Sequence, residues 1–334
     1  MNVLSLFDGI SCGQVALQRA GIKTDKYFAS EIDKNAIAVT LNNYPDTIEL
    51  GDVRKLDVST LPKIDLLIGG SPCTNLSFAG NKEGMTTDNN VKVLSLEKYL
   101  KYKTMGCEFK GQSYLFWEYV RILEEIKPKY FLLENVIMDK FWECMINHVL
   151  GVEPIMINSS LLSAQNRKRL YWTNIPNIEQ PEDKHIHLTD ILEDIKWEYP
   201  AAIRGRYIDL NAINKATIIG RRLNENGHRE DYNKKIPIVQ CLEVRETNRD
   251  KSNCLTTAEK DNVLTPMPTG RHPDAFGLIT GEKLPFRFYT RLEYERLQTL
   301  PEHYTDIISE SAAKKAIGNG WTIDVIAHIL KNIK

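Results

Sequence analysis

The sequence has no run approaching the about 18 consecutive apolar residues that a membrane-spanning helix needs. Its opening, Met-Asn-Val-Leu-Ser-Leu-Phe-Asp, has no basic stretch leading into an apolar one, so export is not expected. Cysteine is scarce. The six cysteines, Cys12, Cys73, Cys107, Cys144, Cys241 and Cys254, form no Cys-x-x-Cys pair and have no histidine at zinc-finger spacing. Six cysteines in a chain this long do not make a disulfide framework, and their spacing argues against a structural metal, leaving reduced thiols, most of them buried as small hydrophobes. Repeats and low-complexity tracts are missing, and so is the G-x-G-x-x-G fingerprint of a dinucleotide site.

What is present is a globular composition: 334 residues, 42% hydrophobic and 26% charged, with 43 Lys+Arg against 44 Asp+Glu. The length suits about two domains, or one large domain with an insertion. The near-zero net charge hides an asymmetry. Residues 201–271 carry 13 basic and 9 acidic side chains, whereas the remainder carries 30 and 35. A basic excess on one segment suits a polyanion partner, although a merely solvated face has the same composition.

Along the first 175 residues, strand and helix patterns alternate. Val3–Phe7, Tyr27–Ser30, Ile64–Ile68, Tyr130–Leu133, Val152–Ile157 and Leu170–Thr173 read as strands, and the unbroken apolar runs suggest burial on both faces. Helical spacing follows at Val15–Ala20, Lys34–Asn42 and Leu115–Ile126, the last stopped by Pro128. This rhythm implies an α/β fold with a mostly parallel, doubly wound sheet and ligands at the carboxyl ends of its strands. Past Ile175 the rhythm is lost until helical patterning returns at Arg291–Leu300 and Ile323–Ile333. The expected division is 1–175 plus 286–334 for one domain and a smaller, irregular 176–285 for the other.

Four blocks sit where strands end. Phe7-Asp8-Gly9-Ile10-Ser11-Cys12-Gly13 follows the first strand, and its small residues let backbone approach a ligand. Glu31 ends the second strand, where a carboxylate can accept both hydroxyls of a ribose, and Asp52 could accept from an adenine amino group. Together they suggest a nucleoside site without a phosphate cradle. Gly69-Gly70-Ser71-Pro72-Cys73 presents a thiol on a rigid loop after a buried strand, and a thiol becomes a nucleophile where it is accessible and its thiolate is stabilised. Glu134, in Glu134-Asn135-Val136, ends another apolar strand and could hold a proton to donate. Gln165, Arg167 and Arg169 alternate on one side of an extended segment, which suits a phosphate or an electron-rich ring. Each block alone also fits a plainer role as a tight turn, an idle loop cysteine, a helix-capping carboxylate or a solvated basic strand start.

In order and chemistry, the blocks together resemble the DNA cytosine-5 methyltransferase family. The cofactor loop looks like Phe7–Gly13, the nucleophile block is Pro72-Cys73, and Glu134-Asn135-Val136 and Gln165-Asn166-Arg167-Lys168-Arg169 follow in the family's order. Arg291–Gln298 with Leu300-Pro301, and Gly318-Asn319-Gly320, complete the set. The resemblance covers 1–175 and 286–334. The first blocks look most like the vertebrate de novo enzymes, whereas the Gln-Asn-Arg block and the insert look bacterial or phage-like. Two departures stand out: Gly320-Trp321 replaces the usual Ser-Val, and 81–112 is longer than a typical catalytic loop.

The resemblance implies a doubly wound, Rossmann-like methyltransferase domain dependent on S-adenosylmethionine, with no metal, S-adenosylhomocysteine as product and a target-recognition domain at 176–285. It implies transfer to C5 of a flipped cytosine in a short duplex DNA sequence, with Cys73 attacking C6, Glu134 acting at N3, Arg167 orienting the base at O2, and Asn135, Gln165 and Arg169 completing the catalytic set. Phe7, Asp8, Gly9, Ile10, Glu31, Ile32, Asp52, Val53, Pro72, Leu115, Asn319, Gly320 and Trp321 would hold the cofactor. Ser77, Arg204, Arg206, Arg221, Arg222, Arg245, Arg249, Lys251, Thr256 and Thr257 are the candidate DNA contacts. A monomer in a bacterial cytoplasm, host- or phage-encoded, is expected, with a separately encoded restriction enzyme as a candidate partner. Transfer RNA as substrate and a catalytically silent DNA-binding regulator are the alternatives. Pro72-Cys73-Thr74-Asn75 argues against the first, since the RNA-directed members carry Pro-Cys-Gln, and retention of Cys73, Glu134 and Arg167 argues against the second.

Overall fold

The computed structural model describes residues 1–72, 76, 85–194, 197, 202–203, 206–209, 212–245, 251–255, 259–279 and 281–334, with the backbone alone at 202, 203, 206 and 207. The first strands and helices alternate as the sequence pattern predicts: β1 (Asn2–Leu6), α1 (Cys12–Arg19), β2 (Lys26–Ser30), α2 (Lys34–Asn43), β3 (Ile48–Glu49) and β4 (Leu66–Gly69). Then come α3 (Leu96–Thr104), α4 (Phe116–Ile126), β5 (Tyr130–Val136), α5 (Lys140–Leu150), β6 (Ile155–Asn158) and β7 (Lys168–Thr173). These strands form one seven-stranded sheet in the order β3-β2-β1-β4-β5-β7-β6.

Burial explains why apolar runs, not alternation, mark its strands. On β1, β2, β4 and β5, successive side chains enter two different cores: Val3, Tyr27, Leu66 and Leu132 join one, and Leu4, Phe28, Leu67 and Leu133 the other. Helices cover both faces, as a parallel sheet requires. The exception to parallel pairing is β7, which runs antiparallel to both β5 and β6. Its connection from β6, residues 159–167, is shorter than the dozen or more residues a parallel crossover takes, so the chain must turn back. The reversal matters for function: it sets Glu134 opposite Tyr171 and Val136 opposite Arg169, bringing the Gln165–Arg169 block to the carboxyl end of β5.

α3 lies inside the long stretch after Pro72, where the sequence shows no helix. Its helix buries Tyr99 alone, so no apolar stripe announces it. Polar contacts hold it instead: Tyr99 Oη donates to the fully buried Glu118 on α4, which also pairs with Lys103 and with Arg121 at 2.8 Å.

The second region is more regular than its sequence suggests. After the short pair β8 (Ala202–Ile203) and β9 (Arg206–Tyr207) come β10 (Asn214–Arg222), β11 (Ile238–Val244), β12 (Val263–Thr265), β13 (Gly270–His272) and β14 (Arg287–Phe288). The last five form an antiparallel sheet, β13-β11-β10-β12-β14, over a core that includes Ile218, Leu242, Val263 and Phe286. Most of these strands are too short to show a period. The chain then returns through α6 (Arg291–Leu297), α7 (Glu310–Asn319) and α8 (Ile323–Leu330), and α8 packs on α1. Ser252 bridges the two regions, exchanging backbone hydrogen bonds with Ala164 and Asn166. Among the described residues, no helix is long and apolar enough to cross a membrane.

Candidate active site

One cavity of about 870 Å³ opens at the carboxyl ends of β1, β2, β4 and β5. Its nucleoside-sized half is built by the loop after β1. Phe7, Gly9 and Ser11 all have positive φ, folding the loop tightly enough to turn backbone amides outward. Glu31 is fixed by three backbone amides, one from this loop and two that follow β2: Gly9 N donates to Oε2 at 2.8 Å, and Ile32 N and Asp33 N donate to Oε1 at 2.7 and 2.9 Å. Of the about four lone-pair sites of a carboxylate, these amides leave one, on Oε2, for a ribose hydroxyl. Beside it, Ile32 is 64% exposed, an apolar platform of the kind an adenine ring covers. Asp52 forms a bidentate pair with Arg54, which holds its carboxyl below the usual range. Phe7, Val53, Pro72, Leu115, Asn319, Gly320 and Trp321 also line the cavity.

Two expected cofactor residues are placed differently in role. Asp8 reaches the cavity wall, but its oxygens accept from Ser11 at 2.6 Å and Tyr27 at 2.7 Å, so it holds the loop; burial pushes its carboxyl up to about 6. Ile10 is fully buried in the core, with its carbonyl accepting from Tyr304. Cys12 also lines the cavity, and burial pushes its thiol up to about 12, which leaves it protonated and inert at neutral pH.

The other half of the cavity gathers the residues that could act on a base. Glu134 is buried at the end of β5. Arg169 Nε lies 2.9 Å from its Oε1, and Trp321 Nε1 donates to its Oε2 at 3.2 Å. Asn135 donates to the carbonyl and hydroxyl of Ser71, both at 3.2 Å, tying β5 to the start of the Pro72 loop. Cys73 lies outside the described residues.

The three alternating side chains of the Gln165 block have separate tasks. Gln165 is fully buried between regions, accepting from Leu255 N at 2.8 Å and donating to the Leu297 carbonyl at 3.2 Å. Arg167 donates to the carbonyls of Leu255, Gly318 and Gly320 at 3.2, 3.3 and 3.0 Å, so its guanidinium fastens α7 to the second region. Arg169 is the guanidinium beside Glu134.

The candidate DNA contacts divide as sharply. Lys251 donates to the carbonyls of Ser160, Ser163 and Ile186, using all three ammonium protons at the seam between the regions. Arg221 pairs with Glu243, and Arg222 donates to the Ile236 carbonyl. Arg245 meets Glu243 at 3.4 Å while its side chain stays 66% exposed. Ser77, Arg204, Arg249, Thr256 and Thr257 lie outside the described residues, as does the side chain of Arg206.

The whole chain, residues 1–334, matches the family model of C-5 cytosine-specific DNA methylases. The chain belongs to that family. An orphan methyltransferase of Bacillus phage SPR is 32% identical over 52% of the chain and 38% of its own length. The chain matches 35 to 45% of the length of the curated relatives compared with it. The fold is also that of the Entamoeba histolytica methyltransferase EhMeth, at 13% identity and TM-score 0.60 over 100% of this chain and 99% of that one. The S. pombe Dnmt2 methyltransferase shares it too, at 16% identity and TM-score 0.59 over 99% and 98%.

Gly70 and Arg54, which the sequence blocks contain without a role of their own, also line the cavity, as does one side of α7 that those blocks do not mark: Ser311, Ala312, Lys315 and Ala316. The spacing of those four is a readable helix face. Gly70 stands in the Gly69–Cys73 block, but the reason it lacks a side chain, that Trp321 and Glu134 meet above it, is not local.

Proposed function

We propose that the chain transfers a methyl group from S-adenosylmethionine to C5 of cytosine within a short duplex DNA sequence. The observation that carries this reading is the single cavity joining Glu31 and Ile32 to Glu134 and Arg169. A nucleoside-type cofactor and an extruded base would there share one space. The residues suit the cofactor: an amide-anchored carboxylate for the ribose, an exposed apolar platform for the adenine, and a carboxylate-rich wall for a ligand carrying positive charge. When bound, the cofactor supplies an electrophilic methyl on a sulfonium.

C5 of cytosine is a poor nucleophile. In the reading proposed, the Cys73 thiolate forms a bond to C6 and pushes electrons toward C5, while Glu134 donates a hydrogen bond or proton at N3 to make that attack feasible. C5 would take the methyl group as the methyl's bond to the sulfonium sulfur breaks, leaving S-adenosylhomocysteine as the neutral thioether; the C5 proton is then lost to solvent, and β-elimination expels the Cys73 thiolate and restores the ring. Assistance of the Glu134 type contributes roughly 10²–10⁴-fold. Because Arg167 is engaged by three carbonyls, the O2 edge of the base falls to Arg169, a reassignment of the role that the resemblance gave Arg167. Extruding the base costs a few kcal/mol, offset by pocket contacts. Target reading belongs to 176–285 and catalysis to 1–175 with 286–334. The name of the phage relative supports an enzyme without a partner restriction enzyme.

Conversion sequencing of DNA from a bacterium that lacks cytosine methylation and expresses this chain tests the reading. Protected cytosines should fall in one short motif and disappear with Cys73→Ala. Soluble protein that protects none would overturn it.

A further inference from the structure

The Glu134 carboxylate is gripped at both oxygens, and the two grips differ in kind. Arg169 brings a charge to Oε1, 2.9 Å away, and Trp321 brings a neutral N–H to Oε2 at 3.2 Å. The indole nitrogen can only donate, so it cannot relay a proton and serves this site as a fixed donor. Its backbone is fixed on either side. The Gly320 carbonyl accepts from Arg167 and Gln298, and the Thr322 hydroxyl is held between Ser159 and Gln298.

Gly70 shows how closely the pair is fitted. A β-carbon there would lie 3.0 Å from Trp321 Nε1 and 3.1 Å from Glu134 Oε2, inside ordinary contact with both at once. The indole edge and the carboxylate thus meet over bare backbone, with the remaining carboxylate lone pairs left for the cavity. With Arg169 alone, the carboxylate could swing about its Oε1 contact and present several orientations to a base.

We infer that Trp321 is a positioning residue for Glu134: its indole N–H fixes Oε2 while Arg169 fixes Oε1, so the carboxylate meets the base in one orientation. This rests on the reading that Glu134 acts on cytosine. It departs from the expectation that Trp321 is cofactor wall alone.

The test compares full-length wild type with Trp321→Phe, which keeps a ring and removes the donor, on duplex DNA carrying the motif found by sequencing. Turnover of Trp321→Phe should fall about 10- to 100-fold, the scale of a misoriented catalytic group. Its S-adenosylmethionine dissociation constant, by calorimetry, should be unchanged. Covalent capture by the same duplex with 5-fluorocytosine at the target, where no C5 proton is available for elimination, should slow in parallel, because Glu134 assists the attack itself. Gly70→Ala should separate the pair and give the same split, and it carries the test if Trp321→Phe does not fold. An active wild type with unchanged turnover in folded variants overturns the inference alone, as does a loss confined to cofactor binding. A wild type that neither methylates nor captures DNA overturns the proposed function, and the inference with it.

Discussion

Glu134 pairs with one arginine and Glu243 with three, and the two glutamates do opposite things with them. Glu134 ends a strand of the parallel sheet, facing a cavity, with Arg169 on one oxygen and an indole on the other. Glu243 lies within the antiparallel sheet and is shared by Arg221 at 2.9 Å, Arg271 at 3.0 Å and Arg245 at 3.4 Å. At the first, one guanidinium orients an acid whose remaining lone pairs are free. At the second, three guanidiniums converge on one acid, whose charge offsets one of theirs and whose oxygens hold all three. What separates these situations is whether the carboxylate borders open space.

The sharpest way to break the comparison is to neutralise each acid in turn. Glu134→Gln should lower turnover by roughly 10²–10⁴-fold, because the amide cannot deliver a proton to the ring, with the melting midpoint little moved. Glu243→Gln should leave turnover per folded molecule intact. Steady-state methylation rates beside thermal melts decide it, and equal turnover losses in both would erase the distinction.

The next contrast lies between two arginines two positions apart. Arg169→Ala should lower turnover about 100-fold with a small change in melting. Arg167→Ala removes the guanidinium from the carbonyls of Leu255, Gly318 and Gly320, the last still held by Gln298, and should cost about 2–4 kcal/mol of stability in denaturant titrations. If Arg167→Ala proves stable and inactive, the base contact belongs to Arg167 after all.

These two arginines also show what the sequence carries and where it stops. The blocks at strand ends were legible because each follows a buried apolar run, so Glu31, Pro72 and Glu134 could be placed at the carboxyl edge of a sheet with no coordinates. Alternation likewise put Gln165, Arg167 and Arg169 on one side. It could not say which guanidinium pairs with Glu134, since both line the cavity and the pairing depends on the reversal of β7 and on carbonyls from Leu255, Gly318 and Gly320. Trp321 meets Glu134 across 187 residues of chain, and nothing local to either announces the contact. Lys251 was read as a phosphate contact because a lysine among arginines counts as charge. Its three carbonyl partners come from other segments. α3 was missed for a related reason: polar pairing to Glu118, not an apolar stripe, keeps it in place.

A smaller effect is the pH dependence that Glu243 gives the fold. Burial opposes ionisation of Glu243, yet hydrogen bonds from Arg221 and Arg271 prevail and hold its carboxyl below the ordinary value of 4.5. A carboxyl depressed in the folded state adds stability that is present above the unfolded value and is lost as pH falls through the folded one. Glu243→Gln lacks that contribution at every pH. Its melting midpoint should therefore sit a few degrees below wild type at pH 7, and the gap should close toward pH 3. A gap of constant size would assign the loss to packing.

The smallest effect concerns which guanidiniums of the antiparallel sheet remain available to DNA. Arg221 keeps only 12% of its side chain exposed and is bonded to Glu243 through Nε, whereas Arg245 has the longest of the three contacts and is 66% exposed. If phosphates are met by this sheet, Arg245 can turn toward one without abandoning a close partner, and Arg221 cannot. Each phosphate contact releases condensed counterions, so losing one lowers the slope of log affinity against log salt by about 1. Binding of duplex DNA measured across a salt series should show that reduction for Arg245→Ala. Arg221→Ala should keep the wild-type slope and melt earlier, because it takes a donor from Glu243. Equal slopes for Arg245→Ala and wild type would place the DNA on another face of the second region, and Glu243 would then gather its arginines for the sheet alone.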